Sequence, residues 1–366
     1  MPPSSRRLCG VVEGWADHAG GRHHGAHRGL AARRLGTDPG YFLDFSANIN
    51  PLGTPPVALR AARAALEEET RQYPDPGYPE LREALAGYLG VPPGRVLPTN
   101  GGAEALFLAA RLSGGGAALI LEPTFSEYAA AARAAGLECR RRVAWRPEGD
   151  RFVLDPAALD DLSGVGLVFL CNPNNPTGGA LSREEVLEVA ERVRKAGAVL
   201  VVDEAFADFA PGSGVASETG AGLAAARSLT KFFALPGLRL GCLVSPETGR
   251  LAALQPAWPV NAVAAAAGAA AISDAQFAAR TLREVARLRR ELFESLSELP
   301  GIAPFAGAAN FLLVRGPAGL PQRLARRGVL VRGCAPFMGL GPEYFRVAVR
   351  RAEENAALVQ ALREEL

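Results

Sequence analysis

The chain has 366 residues, 48% of them hydrophobic and 21% charged, with a formal net charge of +2. That length exceeds one small core and points to a large domain with a smaller companion. A near-balanced charge without a long basic block disfavours nucleic acid as a partner.

From about Pro55 onward helical and extended patterns alternate. Residues 57–69 and 79–89 read as helices, the second with proline in its first turn and Gly90 just beyond its end. A short extended run at 96–99 meets Gly101-Gly102, which open a helical run over 103–112. Residues 117–121 form an apolar strand followed by a helix through Ala135, and 165–170 form another strand. Ser182 and Glu185 make a capping box for a helix over 182–195, and a further apolar strand at 198–202 ends at Asp203. Short apolar strands between helices indicate a mostly parallel sheet covered on both faces, an α/β fold. After Pro259 the texture becomes α+β: a long helical region over 260–299 broken near Ser273-Asp274, extended runs at 310–314, 329–332 and 344–349, and a final helix from Glu353. The expected division is a large domain over 46–260, with 1–45 and 261–366 forming the small one.

The five cysteines, Cys9, Cys139, Cys171, Cys242 and Cys334, form no C-x-x-C pair and read as free thiols of a reducing compartment. Residues 1–15 lack the apolar run of a signal peptide, and the longest apolar stretch, 260–272, falls short of the about 20 residues that span a bilayer. A cytoplasmic protein without a membrane role is expected. His18, His23, His24 and His27 cluster within ten residues, but without cysteine or carboxylate partners at ligand spacing, so no metal site is assigned.

Nearly all positive charge is arginine; Lys195 and Lys231 are the only lysines. Only lysine forms an imine with an aldehyde, so each asks for a reason. Lys195 ends a helix and reads as a surface cation complementing the helix dipole. Lys231 sits in a mostly apolar and hydroxylated segment, S-L-T-K-F-F-A-L-P-G-L-R over 228–239, where an amine loses charge and becomes nucleophilic; a lone salt-bridging lysine is the alternative. Asp203 stands at the carboxyl end of a buried strand, where ligands of open α/β sheets gather. It suits either a helix cap or a partner for a pyridinium nitrogen. C-N-P-N-N-P-T-G at 171–178 is a rigid polar loop at the same sheet edge, from which Asn175 could donate to a ring oxygen. At the strand-to-helix junction Thr99-Asn100-Gly101-Gly102-Ala103, backbone N–H groups could meet a phosphate, with Ser228, Thr230 and Arg239 adding contacts. Phe125 could stack on a ring or fill the core.

In this order, N-P-N-N-P-T-G, D-E-A-F and S-L-T-K with an arginine eight residues past the lysine resemble the fold-type I pyridoxal-phosphate enzymes. The nearest groups are threonine-phosphate decarboxylase and histidinol-phosphate aminotransferase. The decarboxylase version is favoured by L-D-F-S-A-N-I-N-P-L-G at 43–53, by residues 228–241, and by Phe206 where aminotransferases carry tyrosine. His24-Gly25 resembles its H-G-G-N start, although Ala26 and His27 depart from it. The resemblance implies pyridoxal 5′-phosphate as cofactor, with Lys231 as the Schiff-base lysine and Asp203 as the partner of the ring nitrogen. It implies that Arg346 holds a substrate carboxylate and Arg332 a substrate phosphate, with His24, Asn48 and Asn175 lining the substrate. Tyr73 would reach the cofactor phosphate of the neighbouring subunit in a homodimer. The implied reaction is decarboxylation of O-phospho-L-threonine, with transamination of histidinol phosphate as the alternative.

Overall fold

Helices and short apolar strands alternate through a computed structural model that describes residues 28–366. The strands are β1 (Leu43–Asp44), β2 (Val96–Thr99), β3 (Ala117–Glu122), β4 (Glu138–Val143), β5 (Trp145–Glu148), β6 (Arg151–Leu154), β7 (Val165–Cys171), β8 (Val199–Asp203), β9 (Leu223–Ser228), β10 (Gly241–Val244), β11 (Ala303–Phe305), β12 (Phe311–Arg315), β13 (Val329–Leu330), β14 (Arg332–Gly333) and β15 (Tyr344–Ala348). Seven of them form the central sheet in the order β2-β10-β9-β8-β7-β3-β4. The neighbours from β9 to β4 all pair in parallel, and β10 alone runs antiparallel, to both β9 and β2.

The two-residue period of a strand decides which helices cover which face. In β7, Leu167, Phe169 and Cys171 meet the helices Gly101–Ala109 and Glu127–Ala134. Val168 and Leu170 point the other way, toward Val186, Ala190 and Val193 of the helix Arg183–Lys195. That helix starts as expected: Glu185 N donates to Ser182 Oγ at 3.2 Å, and Ser182 N donates to Glu185 Oε2 at 2.7 Å. The expected α/β architecture with a mostly parallel sheet is the one observed.

Smaller sheets complete the chain. β11-β12-β15-β14 is antiparallel, and β1 pairs in parallel with β13, so Phe45 joins the cluster of Leu312, Val347 and Leu358. The helix Ala275–Ser297 runs between the two bodies of core. Its buried residues Phe277, Thr281, Val285, Leu288, Leu292 and Leu296 keep helical spacing. The first of these pack with the large sheet's cluster and the last with the small one's. Asp274 caps it by accepting Phe277 N at 2.9 Å, at the expected break.

The helix Ala262–Ser273 was expected in the small domain. It packs with Leu81, Leu85 and Leu240 through the buried stripe Ala264, Ala267, Gly268 and Ala271, whose small side chains allow a close approach. Among the described residues no single helix is long and apolar enough to cross a membrane.

Candidate active site

The carboxyl ends of β7, β8 and β9 and the helix start at Gly101 converge on one edge of the sheet. Lys231 sits there in the one-turn helix Leu229–Phe232, directly after β9. Asn50 locks this turn: its backbone N donates to Lys231 O at 3.1 Å, and its Nδ2 donates to Phe232 O at 2.7 Å and Thr281 Oγ1 at 3.0 Å. Part of the Lys231 side chain stays accessible, but the protein around the amine withdraws it from water. Burial, and then the charges of Arg346 and Arg239, bring its pKa down to about 8 against the pull of Asp203. Lys195, by contrast, is exposed and lies 3.6 Å from Glu191 one helical turn back.

Asp203 closes β8 and is buried. Its Oδ2 accepts the Tyr128 hydroxyl at 2.7 Å and its Oδ1 accepts Ala205 N at 3.0 Å. Burial pushes its pKa up, and these two donors together with Lys231 oppose the shift. Tyr128 is fully buried, stacks on Phe169 at 5.0 Å and meets the edge of Phe125 at 5.8 Å. Phe125 is thus placed beside the Tyr128–Asp203 pair.

The asparagine loop after β7 divides its labour. Asn172 holds Leu181 and Ser213, accepting Leu181 N at 2.8 Å and donating to Ser213 O at 3.2 Å. Asn174 donates to Pro123 O at 2.9 Å and Thr177 Oγ1 at 2.8 Å. Those anchors leave Asn175 to face Arg346, whose Nη1 donates to Asn175 Oδ1.

Gly101 has φ +80°, and a Cβ there would lie 2.6 Å from Arg239 Nη2, so the helix start and the guanidinium are in direct apposition. A Cβ on Gly102 would sit 3.2 Å from Ser228 Cβ, and Ser228 Oγ lies 2.7 Å from Thr230 Oγ1. Ala103 completes the first turn of this nine-residue helix, whose free N–H groups and dipole favour an anion. Gly241 ties the parts together. It pairs with Thr99 on one side and Ser228 on the other, and a Cβ there would meet Arg227 O at 2.6 Å and Gly102 N at 2.7 Å.

Arg332 and Arg346 are directly opposed across β14 and β15. Two like charges opposed in a ladder repel, and burial lowers the pKa of both, that of Arg346 to about 10. Arg346 donates to Ser46 O at 2.8 Å, lies 5.2 Å over the Phe311 ring, and keeps a buried Nε with no partner among the described residues. Arg332 lies 5.6 Å over Phe337. Asn48 is buried, and its Oδ1 has no partner among the described residues. Buried polar atoms left unpaired are costly, and here they mark where a ligand would complete the wall. Phe206 packs against Phe311 at 5.1 Å.

Two expected residues stand apart. Tyr73 is 75% exposed and stacks on Trp258 at 4.3 Å. His24 lies outside the described residues. Sequence reasoning missed Tyr128, whose position three residues past Phe125 at a helix start was the available clue, and Asn50, which the N-terminal motif contained without a role.

A helix start apposed to Arg239, a lysine of lowered pKa and a buried carboxylate fit pyridoxal 5′-phosphate. Comparison with known proteins agrees. The profile of the aminotransferase class I and II family matches residues 41–362. Threonine-phosphate decarboxylase of Salmonella typhimurium is 39% identical over 354 residues, covering 94% of this chain and 96% of that protein. Among solved structures, histidinol-phosphate aminotransferase from Clostridium acetobutylicum superposes with TM-score 0.81 at 27% identity, over 88% of this chain and 98% of that one. L-threonine-O-3-phosphate decarboxylase from Porphyromonas gingivalis gives 0.77 at 27% identity, with the same coverage. The chain therefore belongs to the class I and II aminotransferase family and is a pyridoxal-phosphate-dependent enzyme.

Proposed function

We propose that the enzyme decarboxylates O-phospho-L-threonine to (R)-1-amino-2-propanol O-phosphate, a step of cobalamin biosynthesis. The observation that carries this reading is the buried pair Arg332 and Arg346, opposed across two strands. A small substrate bearing both a carboxylate and a phosphate brings two anions to two guanidiniums. Likeness to the Salmonella enzyme and phenylalanine at position 206 support the same choice.

Each residue then has a task. Gly101, Gly102, Ala103, Ser228, Thr230 and Arg239 hold the cofactor phosphate, Phe125 covers the ring, and Asn175 and Asp203 address its edge. Bound pyridoxal phosphate supplies an electron sink for the pair released when a bond at Cα breaks. Arg346 takes the substrate carboxylate; Arg332, with His24, takes the phosphate. Asn48 lines the space between them. Fixing both ends sets which Cα substituent stands perpendicular to the ring, so remote binding energy selects the bond that breaks. Lys231 holds the cofactor covalently before substrate arrives, and its Nζ can afterwards return a proton to Cα. In the same reading the enzyme is a homodimer, and the exposed Tyr73 serves the neighbouring subunit's cofactor phosphate.

The test is incubation of the holoenzyme with phosphothreonine and no keto acid. Carbon dioxide and an amino-alcohol phosphate are the expected products. Turnover only with histidinol phosphate and 2-oxoglutarate would replace decarboxylation with transamination.

A further inference from the structure

The hydroxyl of Tyr128 donates to Asp203 Oδ2 at 2.7 Å, with the buried Cys171 thiol as its other polar neighbour. Its ring is fully enclosed, parallel to Phe169 at 5.0 Å and edge-on to Phe125 at 5.8 Å. It therefore touches both the acid that addresses the ring nitrogen and the aromatic that covers the ring. The other Asp203 oxygen is held by Ala205 N at 3.0 Å, so the carboxylate is fixed at both ends by donors from this chain. The next strand brings Cys171 opposite Asp203, and burial keeps that thiol protonated, so it adds no charge.

We infer that Tyr128 is a positioning residue that keeps the proton on the cofactor ring nitrogen, by making Asp203 a weaker base and fixing its direction. The inference rests on the assignment of Asp203 to that nitrogen. The sign follows from the chemistry of the pair. A buried carboxylate facing a protonated pyridine can take the proton and leave two neutral groups, an outcome that burial alone favours. A hydroxyl donating to the carboxylate stabilises its charged form, and hydrogen bonds to a charged group shift an equilibrium by roughly ten- to a hundredfold. Without Tyr128 the proton moves toward Asp203 and the ring becomes a poorer electron sink.

The experiment is the ¹⁵N resonance of ring-labelled pyridoxal phosphate bound to wild type, Tyr128→Phe and Asp203→Asn. Tyr128→Phe removes one oxygen and keeps the ring stacked on Phe169, and circular dichroism of the apo protein checks its fold. Wild type is expected to show a protonated nitrogen through neutral pH, where an unprotonated one would overturn the inference without any variant. Both substitutions are expected to move the resonance toward the unprotonated position. A shift in Asp203→Asn with none in Tyr128→Phe overturns the role of Tyr128 and leaves that of Asp203 standing. No shift in Asp203→Asn removes the assignment of the aspartate itself, and the inference with it.

Discussion

Lys231 is poised by its surroundings before any cofactor arrives. Its pKa of about 8 means that raising the pH from 7 to 9 turns a mostly charged amine into a mostly neutral one. The neutral fraction, which alone attacks an aldehyde, rises about tenfold over that span. The rate at which apo protein captures pyridoxal phosphate, followed by its visible absorption band, should rise by the same factor with a midpoint near pH 8. A midpoint at the ordinary lysine value would mean that neither burial nor the charges of Arg346 and Arg239 press on the amine, and Lys231→Ala should give no band at all. The two opposed arginines bear on the other end of the site. If Arg332 holds the substrate phosphate as proposed, Arg332→Ala removes a charge-assisted grip, and kcat/KM for phosphothreonine should fall by about a hundredfold. Because that grip also orients Cα, part of the loss should appear in kcat; a change in KM alone would reduce Arg332 to a binding group.

At the scale of elements, two glycines govern how the helix start meets the lysine strand. Gly241→Ala would put a methyl within 2.8 Å of three backbone atoms, of Arg227, Gly102 and Gly101, none of which can rotate away. The apo protein should lose about 1–3 kcal/mol, read as a lower thermal midpoint. Gly101→Ala differs, because its nearest obstacle is the flexible Arg239 side chain while its φ of +80° carries the strain. The backbone term is about 1–2 kcal/mol, and displacement of Arg239 should raise the dissociation constant for pyridoxal phosphate, with Gly101→Ala the more harmful to binding relative to its stability loss. These contacts explain what the sequence could disclose. Strands β3, β7 and β8 are largely apolar runs, and the asparagine loop and Asp203 stand at the ends of β7 and β8, so the convergence of those two was legible from order alone. Strand β9 hides its nature in Leu-Ala-Ala-Ala, residues that favour helix, and is a strand because β8 and β10 pair with it on either side. β4 carries three arginines at the sheet's edge, where charge is tolerated and no apolar run is needed. The partner of Tyr128, Asp203, lies 75 residues away, and the opposition of Arg332 and Arg346 is set by strand register, so these pairings were not legible although the residues stood in view.

For the molecule as a whole, the exposed Tyr73–Trp258 stack raises the question of which site Tyr73 serves. This aromatic pair, left 75% and 44% exposed on one chain, is open to contact with a second copy. If Tyr73 reaches the neighbour's cofactor phosphate in a symmetric dimer, the Lys231→Ala and Tyr73→Ala chains carry complementary defects. A mixed dimer then holds one site with an intact lysine and an intact tyrosine, and one site lacking both. Unfolding and refolding an equal mixture produces mixed dimers as about half of all dimers, each with one working site of two. Activity should therefore return to about a quarter of wild type, although each variant alone is nearly inactive. If Tyr73 serves its own chain, every site in the mixed dimer lacks one of the two groups and mixing restores nothing. Sedimentation of the unmixed holoenzyme supplies the control, because a monomer there would leave the tyrosine no neighbour to serve.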